Sequence, residues 1–493
     1  SWRYLQGTIC VTIRLMPKTK VSDLFFYKHR YLIGFVLFGL VFASILCMAQ
    51  LVTGGLSNGE MTSAVLSNQL ADNPFSKSIV NFPFRILQWA SVSIFGLTVW
   101  SIKLPAIILA ALSGIAVIFL LKRWSKLPVV LPAAILILTS SQFLFSSQDG
   151  SPSILYILLP VLILLFGHIA GSKKELNLSA LLVAAALLAV SLYTPLLIYF
   201  VTAIILVCLI HPRTRLVIST AKRWYLYLAL AVFTVCIVPL VVACVNDPSA
   251  VQLILTNGAT DINLLQGIKQ FVTTLFFSSA QSNSAVLVPV YGLPLTALVI
   301  IGFIYGLGQR HRTKYYMILG WLIISVTVMA FDPSVTALVF APLALLLTKG
   351  LAIVIQKWYD LFPSNPYARV AGLAPISFLI VAICSTSVLH FMFGYHYAPQ
   401  VTKYYNNDIT LIRENLASGT VVMANGDPEY EFYKLLEKSK DVTVVNKLPT
   451  TPPERLITIG KQKIAASSKS KFKLERIVTS GRLENANRLY IYE

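Results

Sequence analysis

Lysine and arginine are placed along this chain in an alternation that only a membrane-spanning fold requires. Residues up to about 397 form a series of apolar runs joined by short polar loops, and the bases collect in every second loop. One set of loops holds 21 of them: six before Tyr31, three from Lys122 to Lys126, Lys173 and Lys174, four from Arg213 to Arg223, three from Arg310 to Lys314, then Lys349, Lys357 and Arg369. The other set holds four: Lys77, Arg85, Lys103 and Lys269. Base-rich loops stay on the cytoplasmic side of a polytopic protein, so the asymmetry gives both the number of crossings and their direction. Six acids fall in the outer loops, Glu60, Asp72, Asp149, Asp247, Asp261 and Asp332, and three fall inside, Asp23, Glu175 and Asp360.

Composition agrees. The 493 residues are 56% hydrophobic and 12% charged, whereas soluble domains are roughly 25% charged. A net charge of +20 would suggest nucleic acid in a soluble protein. Here the bases serve topology and contact with lipid headgroups, and a nucleic-acid role is excluded. Six cysteines, at 10, 47, 208, 236, 244 and 384, contain no CxxC pair and sit mostly in apolar runs, which argues against disulfides and a zinc site. His390 and His396 are six residues apart, a spacing that suits neither face of a helix as a metal site.

With about 20 residues needed per crossing, the apolar runs give eleven transmembrane helices. They lie near 31–52, 104–122, 127–146, 152–171, two within 179–211 divided at Tyr193-Thr194-Pro195, then 224–245, 286–307, 315–331, 334–355 and 370–394. The first run is too long for a signal-peptide core and reads as a retained span. An odd count puts the basic segment 1–30 in the cytoplasm and the C-terminus outside, in an integral protein of the plasma membrane. Two long outer loops follow, 53–102 and 246–284. Within the first, the aromatic stretch 81–101, with Trp89 and Trp100, suits a helix lying in the headgroup plane. A twelfth full span is the alternative for that stretch.

After Ala398 the composition changes to 15 bases and 11 acids in residues 399–493. Asp408–Leu416 and Glu429–Lys438 read as amphipathic helices. Thr420–Ala424, Val442–Val445, Lys473–Thr479 and Arg488–Tyr492 read as strands. The fold class is therefore a polytopic α-helical membrane protein with an interfacial-helix loop and a small extracytoplasmic α/β domain at 398–493.

Five features occur in a particular order: Ser57-Asn58-Gly59-Glu60 in the first outer loop; Pro83, Leu87 and Phe95-Gly96 in the interfacial stretch; Lys103-Leu104-Pro105 opening the second span; Gln148-Asp149-Gly150 after the third; and the small-residue break from Ser191 to Pro195. This series resembles the GT-C superfamily of polyprenyl-phosphate-dependent membrane glycosyltransferases, in the branch of the protein mannosyltransferases and the lipid A aminoarabinose transferase. The resemblance spans roughly residues 30–360 within the membrane domain 31–397. It implies a donor sugar on a polyprenyl phosphate and an acceptor hydroxyl on a protein or lipid. It also implies an inverting transfer in which a base takes the hydroxyl proton and cations or a divalent metal receive the leaving phosphate.

By that resemblance Glu60 takes the place of the catalytic base and Asp149 that of the second acid, which binds the acceptor or a metal. Read from the residues alone, Glu60 is equally a solvated loop acid or a helix cap, and Asp149 is equally the cap of the fourth span. Arg85, Lys103 and Lys269 are the bases available to the leaving phosphate in outer loops of the membrane part. Lys103 also suits a lipid-interface marker. The chain departs from the family before the tenth span, where Asp332-Pro333-Ser334 stands in place of a base. That departure favours a rival reading, a non-catalytic scaffold on the same fold. A lipid-linked-saccharide transporter is a second rival. Transporters place charges near the bilayer midplane, and these spans hold essentially none.

Overall fold

The computed structural model describes residues 25–52, 55–171, 176–259, 263–276, 279–280, 287–288, 291–332, 335–361, 366–402, 404–417, 419–424, 427–438, 442–449, 453–459, 472–479 and 488–493. Most of the segment 1–30 lies outside the described residues.

The chain begins with α1 (Phe25–Val52), then the short strand β1 (Leu56–Ser57) and α2 (Asn58–Asp72). Ser57 starts α2 with a capping box. Its hydroxyl accepts the Glu60 N–H, and the Glu60 carboxylate accepts the Ser57 N–H. A 3₁₀ turn at Lys77–Ile79 leads to α3 (Phe82–Phe95). Gly96, at φ 72°, breaks the chain there, and Thr98 caps α4 (Val99–Trp124) with a second box to Ser101. On α3 the polar residues Arg85, Gln88 and Ser91 face inward, while Phe82, Ile86, Trp89, Ile94 and Phe95 are exposed. An amphipathic helix with its apolar face outward suits a membrane boundary, but it covers only 82–95 of the stretch 81–101, whose last residues, from Val99 and including Trp100, begin α4. At 14 residues it is too short for a twelfth span.

The helices that follow are α5 (Leu127–Leu138), α6 (Ser141–Gln148), α7 (Leu155–Ala170), α8 (Leu178–Ser191), α9 (Leu197–Ile210), α10 (Pro212–Ser219) and α11 (Arg223–Asn246). They continue with α12 (Pro248–Thr256), α13 (Leu264–Phe276), the hairpin β2–β3 (Ser279–Ala280, Leu287–Val288), α14 (Gly292–Gly308), α15 (Thr313–Phe331), α16 (Ala337–Leu361) and α17 (Pro366–Tyr397). Seven described helices are long and apolar enough to cross a membrane, or up to nine if the bent pairs α5–α6 and α9–α10 each count as one. The shorter α8 and α14 occupy the positions of the fifth and eighth expected spans. Length and composition therefore support seven to nine crossings where the apolar runs gave eleven.

The division near Pro195 is present between α8 and α9. Leu196 adopts φ 63°, its N–H donates to the Ile254 carbonyl, and the Tyr193 carbonyl accepts the Asn81 N–H. Both long loops thus pack on that turn. The α14–α16 contact is closer still. A Cβ at Gly302 would strike the Leu346 carbonyl, and one at Gly350 the Leu298 carbonyl, so only glycine permits this approach.

After α17 come α18 (Pro399–Thr402), β4 (Tyr405–Asn406) and α19 (Asp408–Asn415). Next are β5 (Thr420–Met423), α20 (Asp427–Lys434), β6 (Val442–Val445), β7 (Arg455–Ile459), β8 (Leu474–Thr479) and β9 (Arg488–Tyr492). The sheet order is β6-β5-β7-β9-β8, parallel through β6, β5 and β7 and antiparallel at β9 and β8. This sheet is fused to the first loop of the membrane part. β4 pairs antiparallel with β1, matching Leu56 with Asn406 and Ser57 with Tyr405. Leu56, Met61 and Ala64 share one apolar core with Ile409, Ile412 and Phe432, and the Arg413 guanidinium donates to the Leu97 carbonyl.

Candidate functional site

The capping box places Glu60 at the first turn of α2, and the tertiary fold then buries it. Its side chain is 1% exposed. Oε2 accepts the Ser57 N–H at 2.7 Å, and Oε1 accepts the Gly150 N–H at 2.7 Å from the turn between α6 and α7. The Lys103 Nζ, 2% exposed at the start of α4, lies 3.5 Å from the same Oε1. The Tyr405 ring, brought by β4, faces that ammonium with its centroid 5.3 Å away. The Glu60 carboxylate thus joins the first loop to the α6–α7 turn and to α4, and Lys103 carries the link on to the C-terminal segment.

Burial is the main cause that pushes the Glu60 pKa up. Lys103 opposes that rise, the nearby Asp149 charge adds to it, and the Ser57 and Gly150 N–H groups oppose it. Burial likewise raises the Tyr405 phenol, and the Glu60 and Asp149 charges add to the effect. Asp149 is half-buried, and Ser151 serves it twice, through its N–H at 2.9 Å and its hydroxyl at 2.6 Å. Gly150 contacts Glu60 directly, so Asp149 is one peptide unit from that contact. The two acids singled out in the sequence are therefore neighbours.

Gln88 holds the arrangement together from below. Its Oε1 accepts the Ser63 and Ser67 hydroxyls of α2 at 2.8 and 2.7 Å, and its Nε2 donates to the Ile102 and Gly150 carbonyls at 3.0 and 2.8 Å. It is completely buried. Neither Gln88 nor Tyr405 was singled out in the sequence. The signal for Gln88 was its place in the polar stripe Arg85, Gln88, Ser91, at helical spacing within an otherwise apolar run. Tyr405 had none, because its position depends on a strand pairing across most of the chain.

Arg85 is one turn from Gln88 on the same inward face and is 5% exposed. Its Nη1 donates to the Lys77 and Ser78 carbonyls at 3.0 and 2.8 Å. Burial lowers its pKa to about 10. Lys269 is exposed on α13, which packs on α15 and α14. Asp332, at the end of α15, accepts a hydrogen bond from the Asn257 side chain at 2.5 Å. Of the three bases named for phosphate, Lys103 is therefore the one in contact with Glu60. Among the described residues no three His, Cys, Asp or Glu side chains converge on a point. Glu60 already faces an ammonium and two N–H donors, a donor set that does not fit a divalent cation as well.

The sequence pattern of the family described as dolichyl-phosphate-mannose-protein mannosyltransferase matches residues 83–242. Among curated proteins none matches by sequence. By structure, the chain is similar to ArnT from Cupriavidus metallidurans bound to undecaprenyl phosphate. The TM-score is 0.54 at 14% identity, over 93% of this chain and 97% of that one. The apo state of the same protein gives 0.52 over the same shares at 14% identity. The apo Archaeoglobus fulgidus oligosaccharyltransferase gives 0.50 at 12% identity, over 85% of this chain and 65% of that one. The likeness to ArnT thus covers 93% of this chain as a shared fold, while the family pattern is confined to residues 83–242.

Proposed function

We propose that this protein is a membrane glycosyltransferase that moves a sugar from a polyprenyl phosphate to a hydroxyl of a protein or lipid acceptor, at the membrane face that carries Glu60. The carrying observation is the buried cluster of Glu60, Lys103 and the neighbouring Asp149, at the helix ends of an ArnT-like fold. The ArnT structure with undecaprenyl phosphate supports a polyprenyl-phosphate donor.

In this reading the acceptor oxygen attacks the anomeric carbon, the bond from that carbon to the phosphate oxygen breaks, and polyprenyl phosphate leaves with the electron pair. Glu60 takes the hydroxyl proton. Lys103 serves the leaving phosphate. Its 3.5 Å contact with Oε1 is loose enough to exchange, and moving the ammonium to phosphate leaves Glu60 buried, less neutralised and more basic. Asp149, more exposed and held by Ser151, orients the acceptor. Arg85 is occupied by loop carbonyls and serves the site by shaping the loop, while Lys269 is a phosphate contact at the donor's approach.

One observation favours the scaffold reading. Both Glu60 oxygens are engaged by backbone N–H groups from two segments, which is also how a purely structural latch would be built. The deciding experiment places the purified chain in liposomes with a labelled sugar on undecaprenyl or dolichyl phosphate and follows label into an acceptor fraction. Label in the acceptor supports the transferase. A preparation that binds undecaprenyl phosphate and transfers nothing from any donor would support the scaffold.

A further inference from the structure

At the other end of the bundle, three basic loops meet in one surface. Lys103 and Arg123 lie on the same helix, roughly 30 Å apart at the rise of an α-helix, about the thickness of a hydrocarbon core. This surface therefore faces the opposite headgroup layer from Glu60. The Lys314 ammonium donates to the Arg123 carbonyl at 3.3 Å and lies 5.3 Å from the centre of the Trp124 ring. His211 Nε2 is 3.3 Å from the His311 carbonyl oxygen, and 3.5 Å from the Thr313 hydroxyl. Segments 122–126, 211–223 and 310–314 are thereby joined, and together they hold ten Lys and Arg and no Asp or Glu.

Several of these ammonium groups are held by aromatic faces, as Lys122 is by the Phe35 ring at 4.8 Å and Lys222 by the Tyr225 ring at 5.8 Å. Among the described residues, Arg213, Arg215 and Arg312 are exposed and form no ion pair. So many like charges repel one another until a counter-charge arrives. The geometry indicates where it comes from. α10 is bent by 81° from α9, so it runs across the end of the bundle. It exposes Leu216 at 63% and Ile218 at 38% beside its two arginines. A short helix across a bundle end, with apolar and basic side chains both exposed, places the first toward acyl chains and the second toward phosphates.

We infer that α10 and the loops 122–126 and 310–314 form a docking surface for the phosphate headgroups of anionic phospholipids, on the membrane face opposite Glu60. A positive-inside signal needs only the count of bases during insertion. A docking surface needs these three loops assembled, and it retains acidic lipid in the folded protein.

The test uses the full chain in vesicles of phosphatidylcholine with a minor share of phosphatidylglycerol. The protein is extracted gently and its co-purifying lipids are quantified by mass spectrometry. Each base near the bilayer is worth about five-fold in attraction for acidic lipid. Phosphatidylglycerol should be enriched over its bulk share in the wild type. The enrichment should fall ten-fold or more, toward bulk, in the triple variant Arg213→Gln/Arg215→Gln/Arg312→Gln, and should shrink at high salt. The charge-keeping variant Arg213→Lys/Arg215→Lys/Arg312→Lys should retain it, which separates headgroup attraction from a folding defect. Bulk lipid ratios on the wild type, equal enrichment in the glutamine variant, or displacement by millimolar inorganic phosphate would each overturn the proposal. The last outcome would make this a free-phosphate site.

Discussion

Replacing Lys103 by methionine should be among the most damaging single changes in this protein, and the geometry says why. The ammonium is 2% exposed, sits 3.5 Å from Glu60 Oε1 and faces the Tyr405 ring at 5.3 Å. Removing one member of a buried ion pair costs about 3–5 kcal/mol, because the other charge stays buried without its partner. The lost contact with the ring adds about 0.5–2 kcal/mol. Lys103→Met should therefore lie at the top of that range. Glu60→Gln should lie at the bottom, because an amide oxygen still accepts from Ser57 or Gly150. The double variant removes both charges and should cost little more than one single change. The coupling between the two sites should then be about 3 kcal/mol. Detergent-driven unfolding of the full chain in mixed micelles, followed by circular dichroism, gives the four values of the cycle. Additive costs, agreeing to about 0.5 kcal/mol, would show that the two charges do not sense each other and would refute the buried-pair argument.

Three further outcomes are expected. A reporter active only outside the cytoplasm, fused after Glu493, should work, and activity of a cytoplasm-only reporter there would overturn the orientation drawn from the bases. Asp408 is 1% exposed, and burial first, then Glu429, raises its pKa from 3.8 to about 6. Its ionised form therefore costs nothing below pH 3.8, costs progressively more between pH 3.8 and 6, and costs fully above that. Asp408→Asn should accordingly stabilise the chain by about 3 kcal/mol at pH 7 and by nothing at pH 3.5, and a gain independent of pH would contradict this. Tyr405→Leu should raise the donor KM several-fold by freeing the Lys103 ammonium, while Tyr405→Phe, which keeps the ring, should leave it near the wild-type value.

Much of the architecture was legible because apolarity and charge report directly on a bilayer. The runs appear as helices, the break at Tyr193-Thr194-Pro195 separates α8 from α9, and the helices and most strands of residues 399–493 form where their patterns place them. Helix direction was not legible. The run 127–146 bends by 59° between α5 and α6, where the Thr139 and Ser140 hydroxyls bond back to the Ile135 and Ile137 carbonyls and compete with the helix ladder. β7 was missed because Arg455–Ile459 is a short run just after the Thr451-Pro452-Pro453 stretch. It is nonetheless central in the sheet, between β5 and β9.

For the site, Ser57-Asn58-Gly59-Glu60 announces a capping box, and that is what forms. What no local pattern reveals is that the same carboxylate also reaches Gly150 and Lys103. Arg85 was singled out because bases are scarce in outer loops. Its environment, however, depends on the carbonyls of a 3₁₀ turn eight residues earlier, which composition does not report.

The most direct test of the central claim is sugar transfer by Glu60→Gln in liposomes, with polyprenyl-phosphate binding measured on the same preparation. If Glu60 is the base, binding should persist while turnover falls by about 10²–10⁴-fold, the usual contribution of a general base. Transfer at the wild-type rate by a folded Glu60→Gln protein would contradict the account and leave Glu60 as a structural latch.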